Sequence, residues 1–238
     1  SLAYDPINNI SRGGAIYFEH EEGSILIYGS LFDNCFVENG DGGALFICGT
    51  KHESGYIMSH TMLSRFNSSY CCYTNCKATY DDGNEDKGYG PIMLVFGSTT
   101  ELFYSSSIND ESNDFNAYGA QFDLSSNNIK SSHINSTRCK SKYCSGIEYR
   151  DANEGFFKFQ TITDHDGHFM TSFTDLKKLN FEISFCNFIK FVALNVQYNN
   201  ENIIGSIFCV TNCHATMSNF CLVGIQPYTK VVTIGDGG

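Results

Sequence analysis

The chain has 238 residues, enough for one large domain or one repeat array, with a formal net charge of -11 and an isoelectric point near 4.9. A surface that acidic repels phosphate backbones and anionic membranes, which argues against nucleic acid as a partner. The aromatic fraction of 14%, from 20 Phe and 14 Tyr with no Trp, excludes a disordered chain and favours pleated strands.

Two kinds of short apolar block recur along the chain. The first kind opens with Gly: GAIYFE at Gly14, GALFIC at Gly43, GAQFDL at Gly119 and GIEYR at Gly146. The second is a strand, a small polar step, another apolar pair, then Asn, Asp, Gly or Cys. It reads SILIYGSLFDNC from Ser24, YIMSHTMLSRFN from Tyr56, ELFYSSSINDES from Glu101 and NIKSSHINSTRC from Asn128. Later copies are FFKFQTITDHDG from Phe156, LNFEISFCNFIK from Leu179 and SIFCVTNCHATM from Ser206. Their starts lie 32, 45, 27, 28, 23 and 27 residues apart. The long step spans residues 71–90, with the acidic run DDGNED, and reads as an insertion looped out of one coil.

Each strand runs about five residues with period-2 alternation, as in Ile25/Ile27 and Phe157/Phe159. Thr174 to Leu179 is too short for a helix of consequence. Such strands bury their apolar face only by stacking on a neighbouring coil about 4.8 Å away. The sequence therefore predicts an all-β fold. Specifically, it predicts a right-handed parallel β-helix, a single solenoid over residues 1–238 with about seven or eight coils and a looped-out insertion at 71–90. An antiparallel sandwich would need hairpin turns at regular 8–12-residue spacing, and Asn39-Gly40 and Asp82-Gly83 fall between repeats instead.

The segment FDNCFVENGDGGALF from Phe32, with RGGAIYF from Arg12, resembles the chlamydial polymorphic membrane proteins and similar surface proteins of some protists. Their G-G-A-I and F-x-x-N repeats stand here as Gly13-Gly14-Ala15-Ile16 and Phe36-Val37-Glu38-Asn39, and Gly42-Gly43-Ala44-Leu45 is a near copy of the first. The paired glycines suit a sharp turn at positive φ, with Phe36 expected in the stack and Asn39 in the turn. The resemblance covers about residues 12–46. It implies a β-helical passenger displayed at a surface for adhesion or covering, and carries over no catalytic residues and no membrane barrel.

The most tempting chemistry is Asp164-His165-Asp166-Gly167-His168, carboxylates with imidazoles suited to acid–base work on a glycoside. Its register matches an earlier turn, Phe32 to Cys35, so a solvated corner is the preferred reading. Asp81, Asp82, Glu85 and Asp86 form a weak calcium candidate, in the wrong order for an EF-hand. No other metal or cofactor site is read from the sequence: no phosphate-cradling loop occurs, and Cys71-Cys72-x-x-x-Cys76 lacks zinc spacing.

Eleven Cys, an odd count, favour an oxidising or extracellular setting. Cys186 and Cys213, 27 residues apart, are expected to stack on successive coils as part of an unpaired thiol ladder, with bridges fitting near Cys71 to Cys76 and Cys139 to Cys144. Sequons at Asn9, Asn67 and Asn135 permit N-glycosylation, although a chain rich in Asn, Ser and Thr contains about that many by chance.

No stretch approaches the roughly 20 apolar residues of a membrane helix. The sequence opens without Met or a signal-like segment, as a processed chain or fragment would. Gly235-Asp236-Gly237-Gly238 repeats Gly40-Asp41-Gly42-Gly43, which opens a coil, so an end-to-end stacking subunit or a piece of a longer array is expected. The leading expectation is a non-enzymatic cell-surface or extracellular structural or adhesion protein that contacts itself, other surface proteins or glycans. The alternatives are a polysaccharide lyase or glycoside hydrolase on the same fold, and a glycan- or receptor-binding module with a solvent-facing Tyr stripe.

Overall fold

The structure, a computed structural model, describes residues 3–5, 10–20, 22–38, 40–49, 64–79, 90–108, 121–141, 144–174, 176, 181–193, 196–198, 201–203, 205–211, 213, 215–226 and 229–235. Short alternating strands need partners to bury an apolar face, and here the partners come from far along the chain. The described residues contain no helix. Eighteen of their strands join in one sheet whose pairings are all parallel.

Three columns of paired strands can be followed through that sheet. In the first, Ile16 stands opposite Leu45, followed by Met93, Phe122, Ile147, Thr171, Phe208 and Val232. In the second, Ile25 is followed by Phe66, Thr100, Ile129, Gly155, Phe181 and Ala215. In the third, Phe32 is followed by Tyr73, Ser107, Ser136, Ile162, Phe188 and Leu222. Smaller pairings flank them: Phe36–Glu38 lies parallel to Lys77–Thr79, and Val196–Tyr198 forms an antiparallel hairpin with Glu201–Ile203.

The four Gly-led blocks all fall in the first column. The blocks from Ser24 and Asn128 open strands of the second. The strands marked by Glu101 and Phe156 open two residues earlier, at Thr99 and Glu154. The block from Ser206 belongs to the first column instead. Of the segment 71–90 read as an insertion, Cys72–Thr74 and Lys77–Thr79 are strands paired in register, and residues 80–89 lie outside the described ones. The block from Tyr56 is described only from Ser64 onward.

Alternation sends one face of each strand to a shared interior. Leu45, Phe122 and Ile147 from the first column, Phe66, Ile129 and Phe157 from the second, and Phe32, Tyr73 and Ile162 from the third all belong to one core cluster. Single residues in the left-handed conformation make the corners. Gly29, Tyr70, Tyr104, His133, Phe159, Phe185 and Asn219 separate the second column from the third, and Asn34, Asn75, Arg138, Asp164, Lys190 and Gly224 end the third. The residue after most of these corners turns back inside, which buries Cys71, Cys76, Cys139, His165, Cys186 and Phe191.

The glycine pairs act through two different constraints. Gly42 has a φ of 69°, where a side chain is strained, and Gly43 is packed so closely on the Pro91 carbonyl that a Cβ has no room. Ala44 and Leu45 then enter the core. The second motif corrects the expectation: Phe36 is 47% exposed, while Val37 is the buried residue of that strand. Asn39 lies outside the described residues. The corners that use Asn are Asn34, Asn75 and Asn219.

Candidate functional site

The run from Asp164 to His168 is split by the pleat rather than gathered by it. Asp164 takes a corner at positive φ, 3.5 Å from the Lys190 ammonium. Asp166 lies 3.8 Å from Lys140. His165 turns inward and is fully buried, its Nε2 at 3.0 Å from the Ser136 hydroxyl, and burial drives its pKa down to about 4. His168 is buried against the Phe169 ring. The run is therefore not a solvated turn throughout, and its imidazoles and carboxylates do not share one surface.

The thiols also depart from expectation. All eleven cysteines carry thiols rather than disulfides. Cys186 faces Phe220 across the paired strands rather than Cys213. Cys71 and Cys76 follow separate corners, and their thiols lie 3.3 Å and 3.7 Å from the carbonyls of Ser69 and Thr74, two residues earlier in each case. The same local bond recurs at Cys139 with Thr137 and at Cys186 with Ser184. Each thiol fills an inward corner position and caps a carbonyl there, so no bridge joins Cys71 to Cys76 or Cys139 to Cys144.

The calcium candidates Asp81, Asp82, Glu85 and Asp86, and the sequon at Asn9, lie outside the described residues. Among the described residues no three His, Cys, Asp or Glu side chains gather as a metal site. Asn135 points to solvent. Asn67 lies half-buried on the outer face of its strand, donating to Glu101 at 2.9 Å and accepting from the Ser69 hydroxyl.

Two arrangements that the residues alone did not disclose stand out. The first is a ridge along the corner between the second and third columns. Tyr70, Tyr104, His133, Phe159 and Phe185 stack in succession, with ring centroids 4.9, 4.6, 4.9 and 5.1 Å apart and planes within 8° to 21° of parallel. Tyr28 leans on the Tyr70 end at 5.2 Å. All five ladder residues have positive φ, a conformation costing about 1–2 kcal/mol for a bulky residue. Each stacked pair returns about 0.5–1.5 kcal/mol, so the ladder offsets a comparable part of its own strain. The four Tyr and Phe side chains remain about half exposed.

The second arrangement is charged and lies on the outer face of the first column. Asp123 stands directly opposite Glu148 in the parallel register. Arg150, two residues beyond Glu148 on the same face, reaches back to Asp123 with Nη2 at 2.5 Å and Nε at 3.1 Å. Ser172 follows Glu148 in the row, with its buried hydroxyl turned toward that carboxyl. Asp123 and Glu148 are both buried. Burial pushes the Glu148 carboxyl up to about 7, with Arg150 working against the shift and Asp123 adding to it; burial likewise raises Asp123, against the pull of Arg150. A neutral carboxyl beside an ion-paired one is acid–base equipment of the kind glycosidases use. Here both groups are sealed from solvent.

Aligning the Gly-led blocks on their glycines hides this pair, because Phe122 is three residues past Gly119 and Ile147 only one past Gly146. Aligning their inward apolar residues would have set Asp123 against Glu148. The ridge was visible in principle as an aromatic or His ending successive second-column strands.

No family model matches the chain, nor does any curated protein or solved structure. No helix among the described residues is long and apolar enough to cross a membrane.

Proposed function

We propose that the chain is a right-handed parallel β-helix acting as a non-enzymatic structural or adhesion element at a cell surface or outside the cell. Its GGAI and FxxN repeats resemble those of the polymorphic-membrane-protein type. The observation that carries the reading is the continuous stacked ridge from Tyr70 to Phe185, which repeats one corner along successive parallel rungs and leaves its edge in solvent. Repetition of that kind makes a stiff rod whose contacts are distributed along its length. Sugar rings bind aromatic faces, and the inner faces of this ladder are covered by its own members, so the ridge suits protein contact better than glycan stacking.

Antibodies against the chain should label intact, unpermeabilised cells of the source organism. Labelling only after permeabilisation would overturn the surface assignment. Incubation with polyuronates and neutral glycans, read by new reducing ends, should give no turnover. Clear turnover would instead establish the glycoside hydrolase reading.

A further inference from the structure

Away from the ridge, the outer face of the first column holds a cluster in which, among the described residues, the acids outnumber the cations. Asp123 and Glu148 are opposed on neighbouring parallel strands, and one guanidinium, that of Arg150, is committed to Asp123. The rows on either side bring no further charge to that face: Leu94 and Phe96 precede it, and Ser172 and Thr174 follow. Cys144 and Cys209 are the nearby thiols, both buried, and Asp151 accepts from Ser125 at 3.1 Å. Among the described residues, two buried acids face one cation, one negative charge more than a low-dielectric site accommodates. The Ser172 hydroxyl in the same row donates toward Glu148 and favours its charged form, as Arg150 does, so burial and Asp123 are what hold the proton there.

We propose that Asp123, Glu148 and Arg150 form a proton-binding switch in the wall, holding one proton on Glu148 in mildly acid medium and releasing it in alkaline medium. Release leaves a second buried carboxylate on the same face and loosens the rungs that carry it. The wall is then tightest in mildly acid surroundings.

The sign follows from the raised carboxyl. The folded chain retains a proton that the unfolded chain has given up, so this site's contribution is full below the ordinary glutamate value and is lost as pH rises toward about 7. His165 opposes it, because a buried neutral imidazole makes the folded chain more stable as pH rises from about 4 to the ordinary histidine value. The two windows overlap, and the wild-type profile is flattened by their cancellation.

The test compares the full chain with Glu148→Gln by thermal unfolding from pH 4.5 to 8. The Tm of the variant minus that of wild type should climb with pH, by on the order of 5 °C across the window, and level off above about 7. Asp123→Asn frees Arg150 for Glu148 and should abolish the Glu148 share of the linkage, leaving that of His165. Site-resolved carbon NMR of the wild-type Glu148 carboxyl gives a readout independent of whether either variant folds: it should titrate near neutrality. A Glu148 titrating in the ordinary carboxylate range, or a pH-independent difference between wild type and Glu148→Gln, would overturn the proposal. The glycosidase reading stands or falls separately, on turnover.

Discussion

Tyr104 and His133, 29 residues apart in the chain, stack with ring centroids 4.6 Å apart and planes 21° from parallel, although each sits at a corner with positive φ. Stacking and strain oppose one another at every rung of this ridge. Tyr104→Ala keeps the left-handed backbone but loses the stacks on Tyr70 and His133, and is expected to cost about 2 kcal/mol. Tyr104→Gly loses the same stacks and relieves the strain, so it should be the more stable variant by about 1 kcal/mol. Chemical denaturation of both settles the order. Alanine above glycine would mean that the corner is not left-handed.

The glycine corners should divide by environment. Gly29 has a φ of 59° and open space around an added Cβ, so Gly29→Ala should cost only the backbone term, about 1 kcal/mol. Gly43 lies against the Pro91 and Lys77 carbonyls, backbone atoms that cannot swing aside, and Gly43→Ala should cost about 3 kcal/mol. Equal penalties at the two positions would contradict the close stacking of the GGA turns.

His165 is buried in the inner row between Cys139 and Phe191, and its folded-state pKa is lowered to about 4. Unfolding lets the imidazole take a proton at its ordinary value. Its contribution is therefore present above about pH 6.5 and lost as pH falls toward 4, amounting to about 3 kcal/mol. His165→Phe, which copies Phe191 one rung on, should remove that acid-side loss. Stability measured at pH 4.5 and 7 in the variant should then fall as pH rises, because Glu148 is left unopposed.

Arg150→Gln strands Asp123 in a buried site without its cation. The expected loss is about 3 kcal/mol at pH 8, shrinking in acid as Asp123 takes up a proton instead. Equilibrium unfolding at the two pH values checks both the size and the trend. A loss that is the same at both would show that the guanidinium acts through packing alone.

The parallel strand columns are legible in the sequence where the blocks are regular. The blocks at Gly14, Gly43 and Gly146 announce the first column because a Cβ has no room where these glycines meet neighbouring backbone, and the block from Gly119 joins it through Phe122. Register is less legible. Inserts of different length move the block starts, so the strands that open at Thr99 and Glu154 read two residues late, and the Ser206 block reads into the wrong column. The same slip pairs Cys186 with Cys213 instead of Phe220. Asp123, Glu148 and Arg150 are hidden for a related reason: opposition across strands is a property of register, not of spacing within one block. His165 looks solvated beside two Asp, but one left-handed corner at Asp164 is enough to send the next side chain inside.

The proposed stacking of coils is tested most directly by through-space amide contacts in solution NMR on a deuterated sample. Long-range contacts should link the register partners Ser132 with Lys158, Asn135 with Thr161, and Thr161 with Asn187, each pair 26 residues apart. The contradicting result would be contacts running antiparallel between Glu154–Lys158 and Thr161–Gly167, the pattern of a hairpin.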